Sequence, residues 1–101
     1  MDVFNPWYDW HRGVDANCTA PMIRRRHLEQ YLGLRKRAPY LLVGEALGYR
    51  GGRFSGIPMT SERILLNHLA DRGIRASDVT GDLAVQRTSR HELGINGFTE
   101  P

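Results

Sequence analysis

Pro39 and Gly44 bracket a continuous apolar run, Tyr40-Leu41-Leu42-Val43, and residues 44 to 58 that follow hold five glycines. A short unbroken apolar run with flanking Pro and Gly predicts a strand buried on both faces, as in a parallel sheet. Gly44, Gly48, Gly51, Gly52 and Gly56 allow main-chain N–H groups to approach a ligand closely. Thr60 or Ser61 then caps a helix over residues 61–73, with Glu62 suited to its positive end. Its buried face is predicted to hold Leu65, Leu66, Leu69 and Ala70, and Gly73 stops it. Strand, long loop and helix over residues 39–73 predict an α/β chain. One such unit cannot cover both faces of a sheet, so the expected fold is incomplete.

Upstream, residues 1–18 form an arm rich in aromatics, Phe4, Trp7, Tyr8 and Trp10. These rings either pack on the domain or stack on a nucleic-acid base. A helix is predicted over residues 19–33, with Thr19 as N-cap, Pro21 in the first turn and Gly33 as the residue past its end. Leu28, Tyr31 and Leu32 lie at i, i+3 and i+4 and share an apolar stripe. Arg24-Arg25-Arg26 and Arg35-Lys36-Arg37 place six positive charges in fourteen residues of a chain with formal charge +3. Such a patch either attracts a polyanion or is a solvated helix face. Beyond Gly73 the pattern weakens, and residues 87–101 read as loop.

Ligands of open α/β folds bind past the carboxyl ends of strands, where the 44–58 loop lies. Long loops of this kind are usually functional or disordered. The loop contains no lysine, which removes the P-loop pattern, and it lacks the dinucleotide pattern G-x-G-x-x-G. Cys18 is the lone cysteine, so neither an internal disulfide nor a four-thiolate cluster from one chain can form. No apolar run approaches the ~20 residues that span a bilayer. The first residues resemble no signal peptide. The expectation is a cytoplasmic protein with no membrane partner, no metal and no cofactor.

The stretch Leu42-Val43-Gly44-Glu45-Ala46-Leu47-Gly48-Tyr49, followed by Gly51-Gly52-Arg53-Phe54-Ser55-Gly56-Ile57-Pro58-Met59-Thr60-Ser61-Glu62, resembles the first motif of the uracil-DNA glycosylase superfamily. One branch of it has a strand, Gly-Glu-Ala-Pro-Gly, then Gly-Arg-x-Phe and a helix. Phe4-Asn5-Pro6-Trp7 and the helix ending Leu28-Glu29-Gln30-Tyr31-Leu32 are similar to the same lineage. The resemblance implies the N-terminal part of a three-layer α/β/α fold with a parallel central sheet. It implies hydrolysis of the N-glycosidic bond of uracil or another deaminated base in DNA, with uracil-containing or single-stranded DNA as the partner.

By position, the resemblance implies Glu45 as the residue that places water. It implies Gly44, Ala46 and Gly48 around the base, with amides of Glu45 and Ala46 on its carbonyl, and Phe54 as the stacking ring. Arg53, Arg24, Arg25, Arg35, Lys36 and Arg37 would meet phosphates. The chemistry is coherent: flipping a base out costs a few kcal/mol, a stacking ring returns ~1–3 kcal/mol, and aimed amides stabilise the departing base's anion. From the residues alone, Phe54 is equally a core anchor, Glu45 a solvated carboxylate or arginine partner, and Arg53 a partner of Glu62. Leu47 stands where the family has proline, and Ala46 where some branches hold water with Asp or Asn. The family's base-reading asparagine and late histidine have no match before Pro101; His91 and Asn96 lie in a different context. The resemblance therefore implies an incomplete site, a chain inactive alone, and self-association to complete it. The alternative is a non-catalytic nucleic-acid-binding module.

Overall fold

A computed structural model describes residues 3–44, 48 and 51–90. Its helices are α1 (Ala20–Gly33), α2 (Gly52–Ser55), α3 (Glu62–Leu65) and α4 (Ala76–Thr80), with a 3-10 turn at Ala70–Arg72 between α3 and α4. Helix α1 packs against α2 and α4, and α3 packs against α2 and α4. The one pairing of extended backbone among the described residues is an isolated antiparallel bridge between Asp15 and Ser89. No helix among them is long and apolar enough to cross a membrane.

The parallel sheet expected around residues 40–43 does not form, and this corrects the α/β assignment. Tyr40, Leu41, Leu42 and Val43 are between 77% and 91% exposed and carry no strand assignment. The physical reason is the missing neighbour. A strand needs adjacent strands to take its N–H and C=O groups and cover its faces, and the described residues supply none.

Helix α1 begins one residue after Thr19, as the sequence predicts. However, Thr19 makes no capping bond: its hydroxyl goes to the Asn17 side-chain oxygen. Gly33 ends the helix in helical conformation instead of following it. The buried face of α1 is not the Leu28-Tyr31-Leu32 stripe, of which Leu32 is exposed. It is Ala20, Pro21, Ile23, Arg24 and His27, spaced at helical period but with two ionisable residues at its centre. The single helix expected over residues 61–73 is broken after Leu65. Asn67 adopts a left-handed φ of 64°, which an α-helix cannot continue through, and its side-chain oxygen accepts the Ala76 N–H instead. The apolar core among the described residues is small: Ala20, Ile23, Phe54, Ile57 and Leu65.

Candidate functional site

The interior that these elements enclose is dominated by charge. Arg24 of α1 is fully buried, as is Asp15 at the end of the N-terminal arm, and the two form an ion pair. Arg53 of α2 approaches the same carboxylate with two prongs, Nη1 to Oδ1 at 2.7 Å and Nη2 to Oδ2 at 3.1 Å. This is the fork geometry in which guanidinium outperforms ammonium. The Arg53 guanidinium lies between two rings, 4.3 Å from the centroid of Phe4 and 4.4 Å from that of Phe54. Arg24 also donates to the Pro6 and Phe54 carbonyls and to the Thr88 hydroxyl.

Glu62, at the start of α3, is the second buried carboxylate. It accepts the Thr88 N–H at 2.6 Å and the Ser89 hydroxyl. Thr88 in turn donates its hydroxyl to the Phe54 carbonyl at 2.6 Å. Two guanidiniums and two carboxylates thus join the arm, α1, α2, α3 and the 88–89 segment into one network. Burial pushes the Asp15 carboxyl up, but the Arg53 hydrogen bonds, the His11 N–H and the two guanidinium charges outweigh it and hold it below the usual carboxylate range. Burial pulls Arg24 below its ordinary value, with Asp15 opposing; an arginine so placed stays charged.

His27 sits beside this network, buried, with both ring nitrogens engaged. Nδ1 lies 2.8 Å from the Ser55 carbonyl, and Nε2 accepts the Gln86 N–H at 3.2 Å. The contacts fix the neutral tautomer protonated at Nδ1, because a proton on Nε2 would point at another N–H. Burial lowers the His27 pKa, helped by the charges of Arg26 and Arg24 and opposed by the Ser55 carbonyl and Glu62. Because the folded value lies below the unfolded one near 6.5, the unfolded chain binds the proton first. The contribution of a neutral His27 to stability is therefore full above pH 6.5 and is lost as pH falls from there through the lower folded value. Urea midpoints followed from pH 8 to 5 are expected to drop in this window, and His27→Gln is expected to remove that drop. An unchanged pH profile in the variant would contradict the assignment.

The expected site residues divide into distinct groups. Glu45 and Ala46 lie outside the described residues, as do Leu47, His91 and Asn96. Gly44 is exposed, and the Gly48 carbonyl accepts the N–H groups of Gly51 and Arg53. Phe54 is buried at 7% exposure under the Arg53 guanidinium, the position of a core anchor. Arg53 is held by Asp15, not by Glu62. Arg24 is inside the protein, where no phosphate reaches it. Arg35 stacks on Tyr31 at 4.0 Å and donates to the Asp78 and Val79 carbonyls, tying α1 to α4. Arg25 lies over Tyr8 and donates to the Trp7 carbonyl. Lys36 and Arg37 remain exposed.

Sequence reasoning missed Asp15, His27, Thr88 and Ser89. The available signal was the spacing of Ala20, Ile23, Arg24 and His27, a helical face that an apolar template rejects. Among the described residues, no three His, Cys, Asp or Glu side chains converge on a metal-sized site. Comparison of the chain with protein-family models, with curated proteins and with solved structures finds no match.

Proposed function

We propose that this chain carries the base-recognition loop of a uracil-DNA glycosylase-like repair protein, whose reaction is hydrolysis of the N-glycosidic bond of a deaminated base in DNA. The observation that supports this reading is the run from Gly44 to Glu62, which pairs Gly-Glu-Ala-x-Gly with Gly-Arg-Phe-x-Gly. The second half of that run is anchored through Arg53, Phe54, Ser55 and Glu62. A rigid support of this kind is what a loop needs if its amides are to stay aimed at a carbonyl. In this reading the amides of Glu45 and Ala46 hold the base carbonyl, Glu45 places water, and Phe54 supports the loop from beneath. Lys36, Arg37 and Arg25 face phosphate, and the protein works in the cytoplasm.

The burial of Phe54 favours a second reading, a nucleic-acid-binding protein without chemistry, because the residue expected to stack on the flipped base is occupied. Two measurements on the whole chain separate the readings. The chain is expected to bind a uracil-bearing oligonucleotide more tightly than its thymine equivalent, and Ala46→Pro, which deletes one amide donor, is expected to erase the difference. At chain concentrations where self-association completes the site, alkali-labile strand breaks at uracil are expected, and they fall on the order of 100-fold in Glu45→Gln. Equal affinity for both strands without any breaks rejects the glycosylase reading and leaves the binding one. Affinity that does not change with salt rejects both.

A further inference from the structure

The N-terminal arm divides its aromatic residues in two. Pro6 is buried, and Trp7 is half-buried with its indole N–H donating to the Gly56 carbonyl at 3.0 Å. Tyr8 is 72% exposed, and Trp10 and Phe4 are each 38% exposed, Phe4 with its ring against Arg53. Tyr8 and Trp10 each carry a guanidinium on one side: Arg25 lies 5.3 Å from the Tyr8 ring centroid and Arg12 6.0 Å from that of Trp10. Neither cation belongs to an ion pair, since both ion pairs among the described residues go to Asp15. The one carboxylate within the turn, Asp9, accepts the Asn5 N–H.

The arm is also ordered before any ligand arrives. The Asn5 carbonyl accepts the N–H groups of Tyr8 and Asp9, and the Asn5 side chain accepts that of Trp7. Arg25 donates to the Trp7 carbonyl, and Asp15 accepts the His11 N–H. A ring held this way loses little freedom on binding. Positive charge outside any ion pair, set beside exposed aromatic rings, is the chemistry that binds single strands.

We propose that the arm from Phe4 to Arg12 is a stacking platform for single-stranded nucleic acid. Tyr8 and Trp10 take bases, and Arg12 and Arg25 meet the flanking phosphates. The proposal rests on the nucleic-acid reading given above and deepens it, without using the 44–48 loop. Its test therefore uses an oligothymidylate of about twelve nucleotides, which contains no uracil.

Binding is expected to quench the emission of Trp10, and Trp10→Phe is expected to lose that quench. By fluorescence anisotropy, Tyr8→Ala and Trp10→Ala are each expected to weaken binding roughly tenfold. Arg12→Gln is expected to flatten the slope of log K against log salt by about 0.7. All three side chains are exposed, and matching thermal transitions confirm that the variants fold. Absence of binding, or affinities of both aromatic variants within twofold of the parent, overturns the platform and leaves the uracil-selectivity test standing. Failure to release uracil, with these effects present, overturns the glycosylase reading alone.

Discussion

Asp15→Ala is expected to lower the unfolding free energy by about 3–5 kcal/mol, the range seen when one partner of a buried ion pair is removed. The reason lies in what remains. Arg24 is fully enclosed and keeps only neutral acceptors, the Thr88 hydroxyl and the carbonyls of Phe54, Pro6 and Asp9. Arg53, 11% exposed at its side chain, turns partly to water and suffers less. A domain of this size is stable by roughly 5–15 kcal/mol, so the loss is a large share of the total. Asp15→Asn keeps the side-chain shape and one acceptor oxygen and is expected to lose less than Asp15→Ala. Combining Asp15→Ala with Arg24→Met removes the orphaned charge and is expected to recover part of the loss. Acid acts on the same carboxylate. Its folded pKa is depressed, so its contribution is present above the unfolded value near 3.8 and is lost as pH falls through the folded value. Urea titrations at pH 7 measure the effect; an Asp15→Ala variant within 1 kcal/mol of the parent would show that the network contributes nothing net.

The sequence made the local elements more legible than their assembly. Helix α1 was readable because Thr19, Pro21 and a helical apolar spacing agree within one segment. The expected loop over residues 44–58 needs correction where Gly52–Ser55 form α2; its glycines suggested irregular chain throughout, yet Gly51 and Gly56 only bound that single helical turn. What misled was the treatment of arginine as a surface residue. Arg24, Arg35 and Arg53 all look like parts of a phosphate-binding patch, yet each satisfies internal acceptors: Asp15, the α4 carbonyls, and Asp15 again. Thirteen of the fourteen basic residues are arginine, Lys36 being the exception. That bias is a sign of bidentate and stacked contacts that a net-charge count cannot distinguish from a solvated face. Thr88 and Ser89 were invisible for a different reason. Their role depends on the bridge from Asp15 to Ser89, a pairing across more than seventy residues that no local pattern encodes. The run 40–43 shows the converse error, because strand propensity was strong there while the partners that would realise it were not at hand.

Gly56→Ala is expected to destabilise the protein by about 2–5 kcal/mol, and the structure separates the two parts of that cost. Gly56 follows α2 with φ of 80°, its N–H closing the last turn onto Gly52. Any residue with a Cβ loses ~1–2 kcal/mol in this left-handed conformation. The remainder is steric. A Cβ there would lie 2.7 Å from the Cβ and carbonyl oxygen of Arg24 and 2.8 Å from its Cα. Those atoms belong to the middle of α1 and cannot swing aside as a flexible side-chain end would. Moving them shifts the guanidinium that Asp15, Thr88 and the Phe54 carbonyl share, so relief of the clash is taken from the network; such overpacking costs about 1–3 kcal/mol. Gly73→Ala supplies the control. Gly73 has nearly the same φ, 81°, but nothing lies within 4 Å of its added Cβ. It is expected to show the conformational part alone, about 1–2 kcal/mol. The difference between the two variants in urea unfolding then measures how tightly α1 rests on the α2 turn, and equal losses would mean that this contact is not as close as the geometry makes it.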